Sequence, residues 1–209
     1  MSLGLCLILS PLSAREAQAE VTILALGDSL TQGYGLPPEE GFVPQLQGWL
    51  RDQGAEVTVI NGGVSGDTTA GGLSRVEWSL TPEVDAMIVE LGGNDLLRGI
   101  DPAVTRANIE GILKVGQARG LPMMLVGFQA ARNYGEGYKR DFDALYPELA
   151  EAYGAILIPS FFAGLSEEAD PGAYAPYMQA DGIHPTGEGV ARIVARIGPQ
   201  VQALIEQVE

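Results

Sequence analysis

Short apolar runs alternate with segments of helical spacing along almost the whole chain, and this alternation limits the possible folds more than any other feature. The first run, residues 21–26, is uninterrupted and ends at Gly27, which is typical of a strand buried on both faces of a parallel sheet. Similar runs follow at residues 56–60, 86–91, 123–128 and 155–158. Helical spacing of apolar residues occurs at residues 42–52, 69–79, 102–118, 138–153 and 188–207. This order predicts an α/β fold, a three-layer α/β/α sandwich on a mostly parallel five-stranded sheet with right-handed crossovers.

A chain of 209 residues is long enough for one domain with a substantial core, and we expect residues 20–209 to form it. Residues 1–19 contain an apolar stretch of about ten residues that closes on Ala17-Gln18-Ala19, the pattern of a signal peptide and its cleavage site. No Lys or Arg precedes the stretch, so an uncleaved anchor is the alternative, but the stretch is too short to span a bilayer. We therefore expect cleavage near Ala19 and a periplasmic or secreted protein.

The charge of the chain narrows its possible partners. The formal net charge of −15 and the single cysteine, Cys6, within the predicted signal peptide describe an acidic mature protein without disulfides. Such a surface repels the phosphates of nucleic acid and disfavours anionic lipid. We expect a monomer that binds no nucleic acid and is not stably inserted in a membrane, and neutral esters remain open as small-molecule substrates.

Polar residues follow the predicted strands at the points where each strand ends. In open α/β sheets, ligands bind at the carboxyl ends of the strands, so these residues are expected to converge on one crevice. The clusters are Ser29 after the first strand, residues 61–67 after the second, residues 92–95 after the third, and Asp181 with His184 ahead of the last helix.

Ser29, Asp181 and His184 together favour a serine hydrolase. A serine hydroxyl is a weak nucleophile, so acyl transfer needs an imidazole to accept its proton and a carboxylate to orient the imidazole. His184 is the only histidine in the chain and therefore the only candidate base. The alternatives are a lone histidine with no catalytic role, an Asp181 that only forms a turn, and a Ser29 that caps a helix.

The residues around Ser29 exclude several common motifs. Thr31 stands where the Gly-x-Ser-x-Gly nucleophile elbow requires its last glycine, and neither a phosphate-binding loop nor a dinucleotide fingerprint follows the strand. Gly66 and Asn94 are candidate donors to an oxyanion, because a glycine N–H can approach a substrate closely and an amide N–H₂ donates directly. For Asn94, an Asx-turn after two glycines is the alternative.

Four segments in order resemble the motif blocks of the SGNH (GDSL) hydrolases. They are Gly27-Asp28-Ser29-Leu30, Gly66 within Ser-Gly-Asp, Gly92-Gly93-Asn94-Asp95 and Asp181-Gly182-Ile183-His184-Pro185. The strings Ser-Gly-Asp-Thr-Thr and Glu-Leu-Gly-Gly-Asn-Asp-Leu-Leu-Arg-Gly are similar to the bacterial thioesterase I, arylesterase and lysophospholipase L1-like branch.

The resemblance implies a flavodoxin-like fold and a serine esterase that forms an acyl-enzyme. It implies Ser29 as nucleophile, His184 as base and Asp181 as the carboxylate that orients the base. The oxyanion hole would consist of the Ser29 and Gly66 N–H groups and the Asn94 side chain. No metal or organic cofactor is implied.

The remaining acidic residues near these motifs have open roles. Asp28 adjoins the nucleophile, so its side chain should point away from the cleft, and we expect it to be structural. Asp67 and Asp95 are expected either to tie loops together or to take part in binding.

Residues 129–138 follow the fourth predicted strand and are expected to overhang the crevice, with Tyr134 and Asn133 as candidate substrate contacts. An exposed loop tyrosine without function is the alternative for Tyr134. The aromatic residues of segment 161–178 are expected to wall the leaving-group side. Rival functions are a polysaccharide or peptidoglycan O-acetyl esterase and a non-catalytic binding module. A metal site on one histidine is the weakest reading.

Overall fold

The computed structural model describes residues 20–165 and 174–208, and the predicted signal peptide lies outside them. Its centre is a five-stranded, fully parallel sheet, which confirms the predicted α/β fold. The strands lie in the order β2-β1-β3-β4-β5, the order of flavodoxin-like doubly wound folds. They are β1 (Val21–Gly27), β2 (Val57–Gly63), β3 (Ala86–Glu90), β4 (Met123–Val126) and β5 (Ile156–Ile158).

The helices form two groups that cover the sheet. Helix α2 packs on α7, whereas α3, α5 and α6 pack side by side. Right-handed crossovers put these groups on opposite faces, because the chain moves from β1 to one side and from β2 onward to the other. The helices are α1 (Ser29–Gln32), α2 (Phe42–Asp52), α3 (Thr69–Ser79), α4 (Gly93–Leu97), α5 (Pro102–Ala118), α6 (Glu136–Tyr153) and α7 (Gly187–Ile205).

Three of the predicted helices, α2, α3 and α5, have the predicted bounds. The others differ by up to two residues at an end, where helices fray and hydrophobic spacing gives little information. Helical spacing could not indicate α1 and α4, because four or five residues are too few to show it. Both short helices follow a central strand directly, and both carry candidate site residues.

The central strands are buried on both faces, which explains their uninterrupted apolar sequences. All five residues of β3 are buried, and β1 is buried throughout except at Thr22. Helix α7 adds the predicted stripe, since Ile193, Ile197 and Val201 are almost fully inaccessible to solvent. Within the described ranges, no helix is both long enough and apolar enough to cross a membrane.

The topology determines where a site can form. The chain leaves β1 toward β2 on one side, while β3 lies on the other side of β1. The loops after these strands therefore diverge and leave a crevice at their carboxyl ends. Helices α1 and α4 begin at this crevice.

Candidate active site

Ser29, His184 and Asp181 form one continuous chain of hydrogen bonds. The Ser29 Oγ lies 2.8 Å from His184 Nε2, and His184 Nδ1 lies 2.7 Å from Asp181 Oδ2. A proton on Nδ1 directed at the carboxylate leaves Nε2 free to accept the serine proton. The structure thus brings together the three residues that the sequence nominated as a triad.

Asp181 also forms the turn that carries His184. Its Oδ1 accepts hydrogen bonds from the N–H groups of Ile183, at 2.9 Å, and His184, at 3.0 Å. The hydrogen bond with the His184 side chain, together with those two N–H groups, lowers the pKa of Asp181 to about 2. The carboxylate is therefore charged at neutral pH and can stabilise a protonated imidazole.

Asp28, rather than Ser29, caps helix α1. The Asp28 Oδ1 accepts the Leu30 N–H at 3.0 Å, and Ser29 is the first residue of the helix. The other oxygen, Oδ2, accepts a hydrogen bond from Asn94 Nδ2 at 3.0 Å. Burial raises the pKa of Asp28 to about 6, although both hydrogen bonds oppose this shift. Asp28 thus has the structural role expected for it and connects α1 to α4.

The three candidate oxyanion donors, on Ser29, Gly66 and Asn94, line one cavity. Gly66 has a φ of +79°, a conformation that favours glycine, and its carbonyl accepts a hydrogen bond from Arg98 at 2.8 Å. Among the described residues, no protein acceptor receives the N–H of Ser29 or Gly66. Asn94 uses its side-chain amide on Asp28 rather than in an Asx-turn, and one hydrogen of that amide is left for a ligand.

A cavity of about 510 Å³ extends from Ser29 and His184, and most of its wall is apolar. Phe162 makes an edge contact with Phe128 and stacks on Tyr174, so one side is continuously aromatic. This partly agrees with the prediction for segment 161–178, whose residues 166–173 lie outside the described ranges. The main apolar lining residues are Leu96, Leu97, Phe128, Phe162, Tyr174 and Met178.

Neither Tyr134 nor Asn133 lines this cavity. Both lie in a short 3-10 helix, and the hydroxyl of Tyr134 donates to the carbonyl of Leu97 at 3.2 Å. The Tyr134 ring packs on Tyr138, with 4.9 Å between ring centroids. Tyr134 therefore contacts the backbone of Leu97, a residue that lines the cavity. Substrate contact by Tyr134 or Asn133 stays a prediction, and the lining of the cavity does not support it.

Arg75 was not identified from the sequence, yet it joins the ends of two strands at the site. Its guanidinium donates to the carbonyls of Gly27 at 2.8 Å and Gly62 at 2.7 Å, and it pairs with Asp67 at 2.8 Å. The Gly27 carbonyl lies two residues before the nucleophile. Asp67 thus ties loops together, one of the two roles left open for it. A single arginine within a helix carries no motif that could have indicated this contact.

Asp95 has a similar role beneath Asn94. It is fully buried and accepts hydrogen bonds from Thr69 N–H at 2.9 Å and from the hydroxyls of Thr69 and Thr105. These contacts join α4 to α3 and α5. Asp95 therefore anchors the short helix that presents Asn94, and it faces away from the cavity.

Glu90, at the end of β3, is the least expected residue near the site. It is almost fully buried, and its Oε2 accepts the Thr31 hydroxyl at 2.7 Å and, more weakly, the Asp28 N–H at 3.4 Å. The Oε1 atom has no protein partner among the described residues. Burial, reinforced by the nearby Asp28, raises the pKa of Glu90 well above its usual value. Glu90 therefore lies beneath the turn of residues 27–29, the nucleophile turn, and its burial favours the protonated form of its carboxyl group.

The raised pKa of Glu90 predicts that the free energy of unfolding depends on pH. The native state keeps a proton that the unfolded chain loses above about pH 4.5, so this stabilisation is present at low pH and is lost as pH rises toward the folded pKa. As the pH rises above that value toward the folded pKa, this one group should lower the free energy of unfolding by up to about 1.4 kcal/mol per pH unit. The free energy of unfolding, measured in urea across this pH range, should fall less steeply with pH for Glu90→Gln than for the unsubstituted protein.

Glu110→Gln is the matched control for that measurement. Hydrogen bonds from Lys114 and Tyr153 lower the pKa of the half-buried Glu110, so this carboxyl is charged in both states throughout the range. Its replacement should leave the slope unchanged. If the free energy of unfolding fell equally steeply with pH in the unsubstituted protein and in Glu90→Gln, Glu90 would not be protonated in the native state.

Comparison with known proteins agrees with this geometry. A family model described as GDSL-like lipase/acylhydrolase matches residues 25–192, a range that includes Ser29, Gly66, Asn94, Asp181 and His184. The chain belongs to this family. The resemblance inferred from four short motifs is thereby confirmed, and it extends over most of the chain.

Relatives at 34% identity or more align with 90% or more of this chain. The chain is 37% identical over 201 residues to a Pseudomonas aeruginosa protein named esterase TesA, with 96% of each chain covered. It is 34% identical over 201 residues to the Escherichia coli protein named thioesterase 1/protease 1/lysophospholipase L1, with 95% of this chain and 91% of that protein covered. The crystal structure of AlinE4, an esterase of the SGNH-hydrolase family, is 43% identical, with a TM-score of 0.73 over 90% of this chain and 97% of that one.

Proposed function

We propose that this protein is a serine esterase that hydrolyses carboxylic esters of apolar acyl or aryl groups through an acyl-enzyme on Ser29. The hydrogen-bonded chain from Asp181 through His184 to Ser29 carries this proposal. It opens onto a cavity with free N–H donors on one side and apolar walls on the other. Two of the relatives described above are also named as esterases.

In the proposed mechanism, Ser29 Oγ attacks the ester carbonyl carbon while its proton passes to His184 Nε2. Asp181 stays charged and stabilises the resulting imidazolium. The tetrahedral intermediate collapses when His184 gives that proton to the departing alkoxide, and the acyl group remains on Ser29. Water, deprotonated by His184, then attacks the acyl-enzyme, and His184 returns that proton to Ser29 Oγ as the carboxylic acid is released.

The oxyanion of each tetrahedral intermediate needs donors that are in position before the reaction. The N–H groups of Ser29 and Gly66 and one hydrogen of the Asn94 amide supply them in this proposal. Asp28 holds the other hydrogen of that amide, so Asn94 has little freedom to turn away. This arrangement costs no reorganisation when negative charge develops on the carbonyl oxygen.

The walls of the cavity favour an apolar acyl or aryl group over a sugar. Leucine, phenylalanine and methionine side chains can cover a hydrocarbon chain but offer few partners for carbohydrate hydroxyls. Thioesters and lysophospholipids carry such chains, and the thioesterase and lysophospholipase names of the Escherichia coli relative support their inclusion. A polysaccharide or peptidoglycan O-acetyl esterase is the weaker alternative.

A chain-length series of p-nitrophenyl esters, from acetyl to palmitoyl, tests this function, with a palmitoyl thioester measured alongside. We expect hydrolysis that depends on acyl length and is lost in Ser29→Ala. A serine-directed phosphonate should label the unsubstituted protein at Ser29 and should not label the variant. Labelling without turnover on any of these substrates would favour an acetyl esterase of glycans. The absence of both labelling and turnover would contradict the proposal and favour a binding module.

A further inference from the structure

The nucleophile and the base come from nearly opposite ends of the sequence, 155 residues apart. Ser29 follows the first strand, and His184 lies in a loop just before the last helix. Their 2.8 Å hydrogen bond therefore depends on contacts that hold this loop against the nucleophile turn. Asp181 cannot do so, because the hydrogen bonds described for it stay within the His184 loop.

Gln179 makes the connecting contacts. Its side-chain Nε2 lies 2.9 Å from the carbonyl oxygen of Tyr34 and 2.9 Å from that of Pro185, so one amide donates to both segments. Its backbone N–H donates to the carbonyl of His184 at 2.8 Å. An amide has two hydrogens on its nitrogen, and each carbonyl takes one of them.

The contact with Tyr34 leads directly to the nucleophile. The Tyr34 N–H donates to the carbonyl of Ser29 at 3.0 Å, so hydrogen bonds connect Gln179 to Ser29 through one intervening residue, Tyr34. The Tyr34 ring also lies against the His184 ring, with 4.6 Å between centroids. Gln179 thus forms a hydrogen bond with the backbone of Tyr34, which contacts both Ser29 and His184.

The packing around the amide leaves it little freedom. Gly35 has a φ of +76°, and a Cβ atom added there would lie 2.3 Å from Gln179 Oε1. The glycine therefore provides the space that the glutamine side chain occupies. The loop around Gln179 is further closed by an antiparallel bridge between Met178 and Pro185.

We propose that Gln179 is a positioning residue that sets the hydrogen-bond distance between Ser29 and His184. It touches neither reacting atom and acts through the backbones of Tyr34, Pro185 and His184. Loss of the amide should let the His184 loop shift relative to Ser29 while the apolar cavity stays intact. The expected consequence is slower chemistry with nearly unchanged substrate binding, since misplacement by about 1 Å can cost up to about 100-fold in rate.

The test compares Gln179→Met with Gln45→Met. Methionine has a similar length and no hydrogen-bonding N–H, so the substitution removes the amide and keeps most of the packing. Gln45 is the matched control because its Nε2 also joins two segments, donating to the carbonyls of Glu40 at 2.7 Å and Gly187 at 3.0 Å. Neither Gln179 nor Gln45 lines the cavity.

For Gln179→Met we expect kcat for p-nitrophenyl butyrate to fall by about 10- to 100-fold, with KM changed by less than about three-fold. The second-order rate of phosphonate labelling at Ser29 should fall by a similar factor. Gln45→Met should retain both rates. The midpoint of urea unfolding distinguishes a positioning role from a loss of stability, because both variants remove one amide clamp and should be destabilised alike.

The single histidine gives an independent measurement. With protein purified through a histidine-free tag, the ¹⁵N imidazole signals need no assignment, and they should shift in Gln179→Met and stay in place in Gln45→Met. A kcat within two-fold of the unsubstituted protein, or unchanged imidazole signals in Gln179→Met, would overturn the inference. The kinetic part rests on the proposed esterase function. If the unsubstituted protein proved inactive, that function would fail, and the imidazole signals would still decide the role of Gln179.

Discussion

Replacement of His184 by alanine is expected to lower kcat/KM for ester hydrolysis by about 10⁵- to 10⁶-fold. Without the imidazole, no other side chain among residues 20–165 and 174–208 hydrogen-bonds to Ser29 Oγ and could accept its proton, and the leaving group departs without protonation. The residual rate should come from binding and from the oxyanion donors alone. Stopped assays at high enzyme concentration, on a substrate that the unsubstituted protein hydrolyses rapidly, can measure this range.

The absence of a second histidine makes this prediction unusually strict. No neighbouring imidazole can take over the role of His184, provided that the purification tag contains no histidine. Phosphonate labelling at Ser29 should be lost together with turnover, while the urea midpoint shows whether the variant is folded. Turnover within about ten-fold of normal in a folded His184→Ala protein would exclude His184 as the base.

Replacement of Asn94 by alanine is expected to reduce kcat by about 10²- to 10³-fold, which corresponds to roughly 3 to 4 kcal/mol of transition-state stabilisation. The oxyanion carries more negative charge than the ground-state carbonyl, so a lost donor weakens the transition state more than substrate binding. KM should therefore change little. Steady-state kinetics on one acyl ester, with kcat and KM determined separately, tests the prediction.

Asn108→Ala is the matched control for Asn94→Ala. Asn108 lies in α5 outside the cavity wall, and its amide donates to the hydroxyl of Thr69 at 3.1 Å, so kcat should be unchanged. The loss of the Asn94 amide also removes a partner of the buried Asp28, and part of the effect can appear as a lower urea midpoint. A higher KM with normal kcat would assign Asn94 to ground-state binding instead of the oxyanion hole.

The parts of the molecule that could be predicted from sequence are those with short-range signals. Uninterrupted apolar runs indicated the central strands because both of their faces are covered, and helical spacing indicated α2, α3 and α5. Ser29, Gly66, Asn94, Asp181 and His184 could be nominated because each stands in a short motif at the end of a predicted strand or before a helix. Their placement in one cavity follows from parallel strands that end at the same edge.

The parts that could not be predicted depend on contacts between distant segments. Arg75 reaches the ends of two strands, Glu90 lies beneath the nucleophile turn and Gln179 joins two loops, yet none of them stands in a recognisable spacing. Their roles arise from tertiary packing. Tyr134 shows the converse, because its place in a loop after β4 suggested substrate contact while its hydroxyl is directed to a backbone carbonyl.

The distance in sequence between Ser29 and His184 also has a consequence for how the protein is made. During synthesis, the nucleophile, the oxyanion donors and all five strands of the sheet leave the ribosome before the base does. Under the proposed mechanism, an incomplete chain that ends before residue 184 has no acid–base catalyst and stays inactive however well its earlier part folds. Hydrolytic activity would therefore begin only in chains that extend past His184, and it would report the joining of the Ser29 and His184 segments into one native structure.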